Sequence, residues 1–337
     1  MKKFILKLFY FSIPILVLLI IVTILYVKRD IYQDFAPFQN DKMRYRVHLI
    51  GDISTKKFLI STTKYNSFIF GSSRSISLYA CYMQQKIKNS IFFHYNNWGE
   101  TVGGIDARLN LIDALGYEID NVVIYFDTDH TFFEEGKCKR GDHYLLTNTN
   151  KYLYYFFHFK NFMPPQLNLE KIKILLNYKA DYFFQPNSEA DLLTNDAHHI
   201  CTDDILANYG NSTLDSSQIR EIDALVESGF FYEREKTTQY KEIQISDSEK
   251  KMLQNIKAIF QKHNTNYYII ISPIYDQLKF NVADMNTIKE IFGNRVYDFS
   301  GINSYTNNVY NYFHDREHYR NYISKFMIDS IFQEERM

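Results

Sequence analysis

The sequence predicts an α/β protein built on a central parallel sheet, and three observations carry that reading. Apolar, strand-like runs alternate with helix-compatible stretches along most of the chain. The runs are continuously apolar rather than alternating, as strands covered on both faces should be. The first of them stops abruptly at Gly71-Ser72-Ser73-Arg74, a strand, tight turn and helix start at the edge of a sheet.

The elements follow in order. Leu8 to Val27 carries no charge, and at roughly 1.5 Å per residue about 20 such residues cross a hydrocarbon core. The run ends in Tyr26-Val27-Lys28-Arg29 rather than in small residues before a cleavage site, so an uncleaved signal anchor is expected. Lys2, Lys3 and Lys7 precede the span, which places the N-terminus in the cytoplasm and the remainder in the periplasm or outside the cell. Residues 1–28 are then tip and anchor, 29–62 a juxtamembrane stalk, and 63–337 the outward domain.

Within that domain the strand candidates are 67–70, 91–95, 121–126, 267–272 and 295–299. Helices are expected over 76–88, 104–115, 246–263 and 281–291. Residues 131–245 break the rhythm, being polar and aromatic with Pro164-Pro165 and no strong strand. A bare loop of that length is improbable, so the segment reads as a mostly helical insertion forming a lid or substrate groove. Its clustered aromatics, Tyr152 to Phe157 and Tyr182 to Phe184, suit a platform for a sugar.

Composition excludes some functions. A net charge of −1 gives no reason to expect nucleic acid as a partner. Tyr and Phe number 28 each against one Trp, a bias that partly follows genome composition and is not itself a binding signature. Cys81, Cys138 and Cys201 have no metal spacing. In an exported domain the expected disulfide is Cys138–Cys201, with Cys81 buried beside the first helix of the domain, although three cysteines do not fix a pairing.

Four segments fall at strand ends, where open α/β sheets hold their ligands. They are Gly71-Ser72-Ser73-Arg74, then Asn96 to Gly104, then Asp127-Thr128-Asp129-His130, and finally Tyr312 to Tyr319 with Asp315 and His318 three apart. In this order they resemble the SGNH/GDSL family of esterases and acyltransferases. Ser73 matches the serine of that family's Gly-Asp-Ser turn, with Ser72 in place of the aspartate, and Asp315 and His318 match its Asp-x-x-His. The GSSR turn behind an anchor is similar to the family's envelope branch, which includes alginate O-acetyltransferase relatives and D-alanine-transfer proteins. The likeness covers about 65–129 and 267–332.

The resemblance implies a three-layer sandwich and a Ser–His–Asp mechanism with no cofactor or metal. His318 is the implied general base, Asp315 orients it, and Ser73 is the nucleophile. The oxyanion would be held by the N–H of Ser73 and that of Gly99 or Gly103. The third block departs from the family, since Asp127-Thr128-Asp129 stands where Gly-x-Asn-Asp is usual. A carboxylate there opposes an oxyanion unless it turns away or pairs, for instance with Arg74, and Asn97 or backbone N–H groups then complete the hole. Implied partners are the membrane, an envelope glycan or acylated carbohydrate, and a membrane acyltransferase that delivers the acyl group.

Three rival readings attach to the same residues. His314-Asp315-Arg316-Glu317-His318 spells H-x-x-E-H, a zinc pattern that requires both histidines on one helix. The cluster Asp196 to Asp204 holds metal-ligand residue types at no defensible zinc spacing, and Asp127 to His130 could face a divalent cation. A non-catalytic glycan-binding or scaffold protein of the same fold is the third alternative.

Overall fold

The computed structural model describes residues 2–29, 65–97, 99–128, 130–137 and 209–334. The stalk, most of the insertion and the aromatic clusters at 152–157 and 182–184 lie outside the described residues. Helix α1 spans Lys2–Arg29 and includes the charge-free run. Among the described residues no helix is long and apolar enough to cross a membrane. Within α1, whose side chains are described only in part, Phe9, Leu16, Val17, Ile20 and Ile24 are all exposed.

The sheet has five strands in the order β2–β1–β3–β4–β5, with every neighbouring pair parallel. They are β1 (Ser67–Phe70), β2 (Phe92–His94), β3 (Asn121–Phe126), β4 (Asn266–Ile271) and β5 (Val296–Asp298). Helices α2 (Ala80–Lys86), α3 (Val102–Ala114), α4 (Ser216–Glu227), α5 (Asp247–His263), α6 (Val282–Phe292) and α7 (Asn321–Glu334) accompany them. The architecture is therefore α/β with a parallel sheet, as the alternating pattern predicts.

Alternate residues of each strand feed two separate cores. Phe68, Phe70, Val122, Ile124, Ile269 and Ile271 pack with Ile105 and Leu109 of α3 and Ile256 and Phe260 of α5. Ile69, Val123, Tyr125 and Ile270 point the other way, toward Met83 of α2 and Ile323, Met327 and Ile328 of α7. Each fully buried side chain of this size stabilises the fold by about 2 kcal/mol, so both faces must stay covered. That requirement is the physical origin of the continuous apolar strands.

Helix boundaries follow local chemistry. Thr101 accepts the N–H of Gly104 at the start of α3. The Glu249 carboxylate accepts the N–H of Ser246 before α5, which ends at Asn264 in the left-handed region at φ 54°.

Two expectations need correction. The helix expected over 76–88 is instead a 3-10 turn at Ser73–Ser77, then extended Leu78 and Tyr79, then α2. Ser75 Oγ donates to the Ser72 carbonyl and Ser77 Oγ to the Arg74 carbonyl. Those bonds offer the backbone an alternative to a continuous helix. Cys81, expected to be a free buried thiol, is disulfide-bonded. Its partner lies outside the described residues, and the bond leaves no Cys138–Cys201 pair among three cysteines.

Because β1 is flanked by β2 on one side and β3 on the other, the chain reverses direction across the sheet at β1. The carboxyl ends of β1 and β3 are the place where sheets with such a reversal bind ligands. The Gly71–Arg74 turn begins there.

Candidate active site

The turn after β1 is shaped by Gly71. Its φ of 154° is one that side-chain-bearing residues rarely adopt, and a Cβ there would lie 2.8 Å from Ser75 Cβ and 2.9 Å from Tyr125 Cβ. Only glycine lets the turn close onto β3. Ser72 is buried, and its Oγ accepts the N–H of Arg74 at 3.1 Å. Ser73 is partly exposed at the head of the 3-10 turn, and its N–H has no partner among the described residues. Of the two serines, one therefore serves as a cap and the other presents its hydroxyl outward.

His94 of β2 braces this turn from the second core. Its Nε2–H donates to the Ser75 carbonyl at 2.8 Å. Complete burial lowers its pKa to about 4, outweighing the Ser75 and Asn96 contacts that raise it, so the ring is neutral near pH 7.

Asp315 and His318 occupy the tip of a short hairpin. Tyr312 and Tyr319 form its antiparallel bridge, and the Phe313 N–H donates to the His318 carbonyl at 3.1 Å. At the tip, Asp315 Oδ1 accepts the N–H of Glu317 at 2.8 Å and of His318 at 2.7 Å. Both carboxylate oxygens lie 3.1 Å from His318 Nδ1. Burial pushes the Asp315 carboxyl up, but the His318 ring and these N–H groups outweigh it and bring it down to about 2. The far nitrogen, His318 Nε2, stands 2.8 Å from Ser73 Oγ. Ser73, His318 and Asp315 are thus joined in one hydrogen-bonded line.

Arg74 ties the two segments together. Its Nε donates to the Glu317 carbonyl at 2.7 Å, and its Nη1 lies 3.6 Å from Asp127 Oδ1, with both side chains buried. Asp127 follows β3, and its own N–H donates to Thr131 Oγ1 at 2.8 Å. The third-block carboxylate that opposes an oxyanion on charge grounds therefore faces a guanidinium. Asp129, the other acidic residue of that block, lies outside the described residues.

The remaining predicted residues are less closely tied to this line. The Asn97 N–H donates to the Gly71 carbonyl at 3.1 Å, so the main chain of Asn97 braces the turn instead of facing a reacting oxygen. Gly99 sits in a turn at φ 51°, and Gly103 lies buried in the first turn of α3. Neither N–H has a partner among the described residues, and no hydrogen bond there joins either glycine to the triad. The neighbouring Gly104 has a plain packing role, because a Cβ there would fall 2.0 Å from Glu100 Oε1. That carboxylate pairs with buried Arg108 and stiffens the loop after β2.

The zinc pattern fails on geometry, since His314 and His318 lie in the hairpin before α7 rather than on one helix. Asp196 to Asp204 lies outside the described residues. Sequence reasoning missed His94, which looks like any strand residue in Phe92-Phe93-His94, and it missed the Glu317 carbonyl, which has no side-chain signature. Arg74 was visible only as a possible partner for Asp127. Neither a family model nor a curated protein matches the chain.

Proposed function

We propose that this protein is an SGNH-type esterase or O-acyltransferase, a three-layer sandwich held at the membrane by α1 and acting on an envelope or exported polysaccharide. The observation that carries the proposal is the line from Ser73 Oγ through His318 to Asp315, at 2.8 and 3.1 Å. His318 Nε2 takes the Ser73 proton as Oγ attacks an acyl carbonyl, and Asp315 holds the ring and stabilises the imidazolium. The free N–H of Ser73 is one donor to the tetrahedral oxyanion, a role whose loss typically costs about 100- to 1000-fold in rate. Breakdown returns the proton to the leaving group. The acyl-Ser73 ester is then resolved by water, giving an esterase, or by a sugar hydroxyl, giving a transferase.

The anchor reading rests on the sequence, in which the charge-free run Leu8 to Val27 is flanked by cationic residues at both ends. Labelling of the full chain by a fluorophosphonate tests the chemistry directly. One adduct per chain, at Ser73 and dependent on His318, is expected. Absence of labelling in folded protein would turn the reading toward a glycan-binding scaffold.

A further inference from the structure

A groove of about 520 Å³ opens beside the catalytic hairpin, between residues 231–236, the loop after β4 and the segment near Asn307. Its walls are already tied together. Arg234 donates to the carbonyls of Tyr275, Thr306 and Asn307, and its guanidinium sits 4.4 Å from the Tyr275 ring centre. Gln277, on the floor, adopts φ 55° without being glycine and is held by bonds from Nε2 to Thr306 Oγ1 at 3.3 Å and Asn307 Oδ1 at 2.9 Å. Such strain persists only where the surroundings impose it, and it clusters at ligand sites.

The groove adjoins the hairpin through Arg316, and through Tyr275, whose ring packs on Tyr312. The Arg316 guanidinium, next to Asp315 in the hairpin, lies 5.0 Å from the ring centres of both Phe230 and Tyr232. Tyr232 also lines the groove and is 41 % exposed, so part of its ring is open to a ligand. Its hydroxyl is bonded to Asp276, which fixes the ring in place.

The lining selects a ligand class. Glu233 and Glu235 balance Arg234 and Lys236, so the groove has no net charge with which to hold a polyanion. It offers an aromatic surface edged by a donor and an acceptor: with Gln277 Nε2 spent on Thr306 and Asn307, Asn307 Nδ2 is left to donate and Gln277 Oε1 to accept. A pyranose needs that combination, because its C–H face stacks on a ring while its hydroxyls each give and take a hydrogen bond. The volume suits one or two sugar units.

We propose that this groove is the acceptor subsite and takes an uncharged hexopyranosyl unit of an oligosaccharide. The inference rests on the acyl-transfer reading above. In the transfer step a hydroxyl of the bound chain attacks the acyl carbon of acyl-Ser73. The new ester forms as the bond to Ser73 Oγ breaks, and the hydroxyl proton passes through His318 to Ser73.

The test is saturation-transfer NMR on the full chain in lipid nanodiscs, with maltotetraose and N-acetylchitotetraose as uncharged probes and tetragalacturonate as the anionic one. At least one uncharged probe should bind, tetragalacturonate should bind at least tenfold more weakly, and Tyr232→Ala should weaken the uncharged probe at least tenfold. Tyr232→Phe, which keeps the ring face, should stay within threefold of the parent. Should Tyr232→Ala melt early, the pair Glu233→Ala and Lys236→Ala, on side chains 87 % and 89 % exposed, supplies a fold-neutral loss of about threefold or more. Binding unchanged in folded Tyr232→Ala or in the Glu233→Ala and Lys236→Ala pair, no binding of either uncharged probe, or preference for tetragalacturonate overturns the inference. Fluorophosphonate labelling separates the two claims. Sugar binding that depends on Tyr232 in a chain that does not label leaves the groove standing and removes the acyl chemistry. Labelling without uncharged-sugar binding removes the groove alone.

Discussion

Arg74 Nε donates to the main-chain carbonyl of Glu317 at 2.7 Å, so the residue after Ser73 holds the residue before His318. The same guanidinium faces buried Asp127, which has no other ion-pair partner among the described residues. Removing Arg74 alone should therefore do two things. It strands a buried carboxylate, typically a loss of about 3–5 kcal/mol, and it releases the hairpin. Arg74→Met should unfold early in urea, whereas Arg74→Met with Asp127→Asn should recover most of the stability. Acylation by a p-nitrophenyl ester should stay at least tenfold slow in the double variant. Recovery of rate together with stability would reduce Arg74 to a purely structural role.

The two serines of the turn should separate cleanly. Ser73→Ala and His318→Ala are expected to abolish acyl-enzyme formation, because each removes an end of the 2.8 Å contact. Ser72→Ala removes only a cap on Arg74 N–H, about 1 kcal/mol, and should retain most of the burst seen in rapid-quench kinetics. A dead Ser72→Ala with an active Ser73→Ala would move the nucleophile by one position.

His94 gives the fold a defined response to acid. Its pKa falls from 6.5 to about 4 through burial, so the unfolded chain binds the proton more readily than the folded one. Its contribution to stability is complete above pH 6.5 and is lost as pH drops toward 4, by about 3 kcal/mol in all. Urea midpoints at pH 7, 5.5 and 4 should fall in step for the wild type and more shallowly for His94→Gln. Parallel curves would assign the acid loss to other groups.

Asp315 should behave in the opposite range. Its folded carboxyl titrates near 2, below the ordinary 3.8, so its stabilising contacts persist at pH 4 and above and are lost as pH falls from there through 2. A carbon-13 carboxyl titration should show a flat signal from pH 8 to 4. In His318→Ala the inflection should rise, since the imidazole is one of the groups drawing it down. An unchanged inflection would mean that the backbone N–H groups alone set the value.

Gly71→Ala should be among the least tolerated changes in the domain. The added methyl meets Ser75 and Tyr125 at under 3 Å, and both are backbone-proximal Cβ atoms with little room to yield. Loss of soluble folded protein, read by circular dichroism after detergent extraction, is the expected result. A folded and active variant would show that the turn is softer than its geometry implies.

How far the sequence revealed this molecule depended on where information resides in side chains. Strands such as Asn121–Phe126 were legible because burial on both faces demands uninterrupted apolar residues. Ser73, Asp315 and His318 were legible as a spatial cluster because their residue types and order fit a known pattern, although Asp315 and His318 sit on a hairpin rather than at a strand end. The 3-10 turn was missed because serine hydroxyls bonding to nearby carbonyls leave a pattern that still looks helical. His94 was missed because a buried neutral imidazole looks like strand filler. Partners for the oxyanion are backbone N–H groups, which every residue but proline carries, so Gly99 and Gly103 could not be ranked by type.

Ser73 and His318 stand 245 positions apart in the chain, yet they share a hydrogen bond. The polypeptide therefore carries Ser73 through most of its synthesis without its imidazole partner. The hairpin that carries His318 leads into α7, which packs beside the 3-10 turn where Ser324 meets Ser77. Closing so long a loop is entropically slow and must be repaid by the core that forms with it. A chain cut short before α7, or one in which that helix has come loose, keeps Ser73 but uncovers one face of the sheet and loses the packing that seats His318 against that serine.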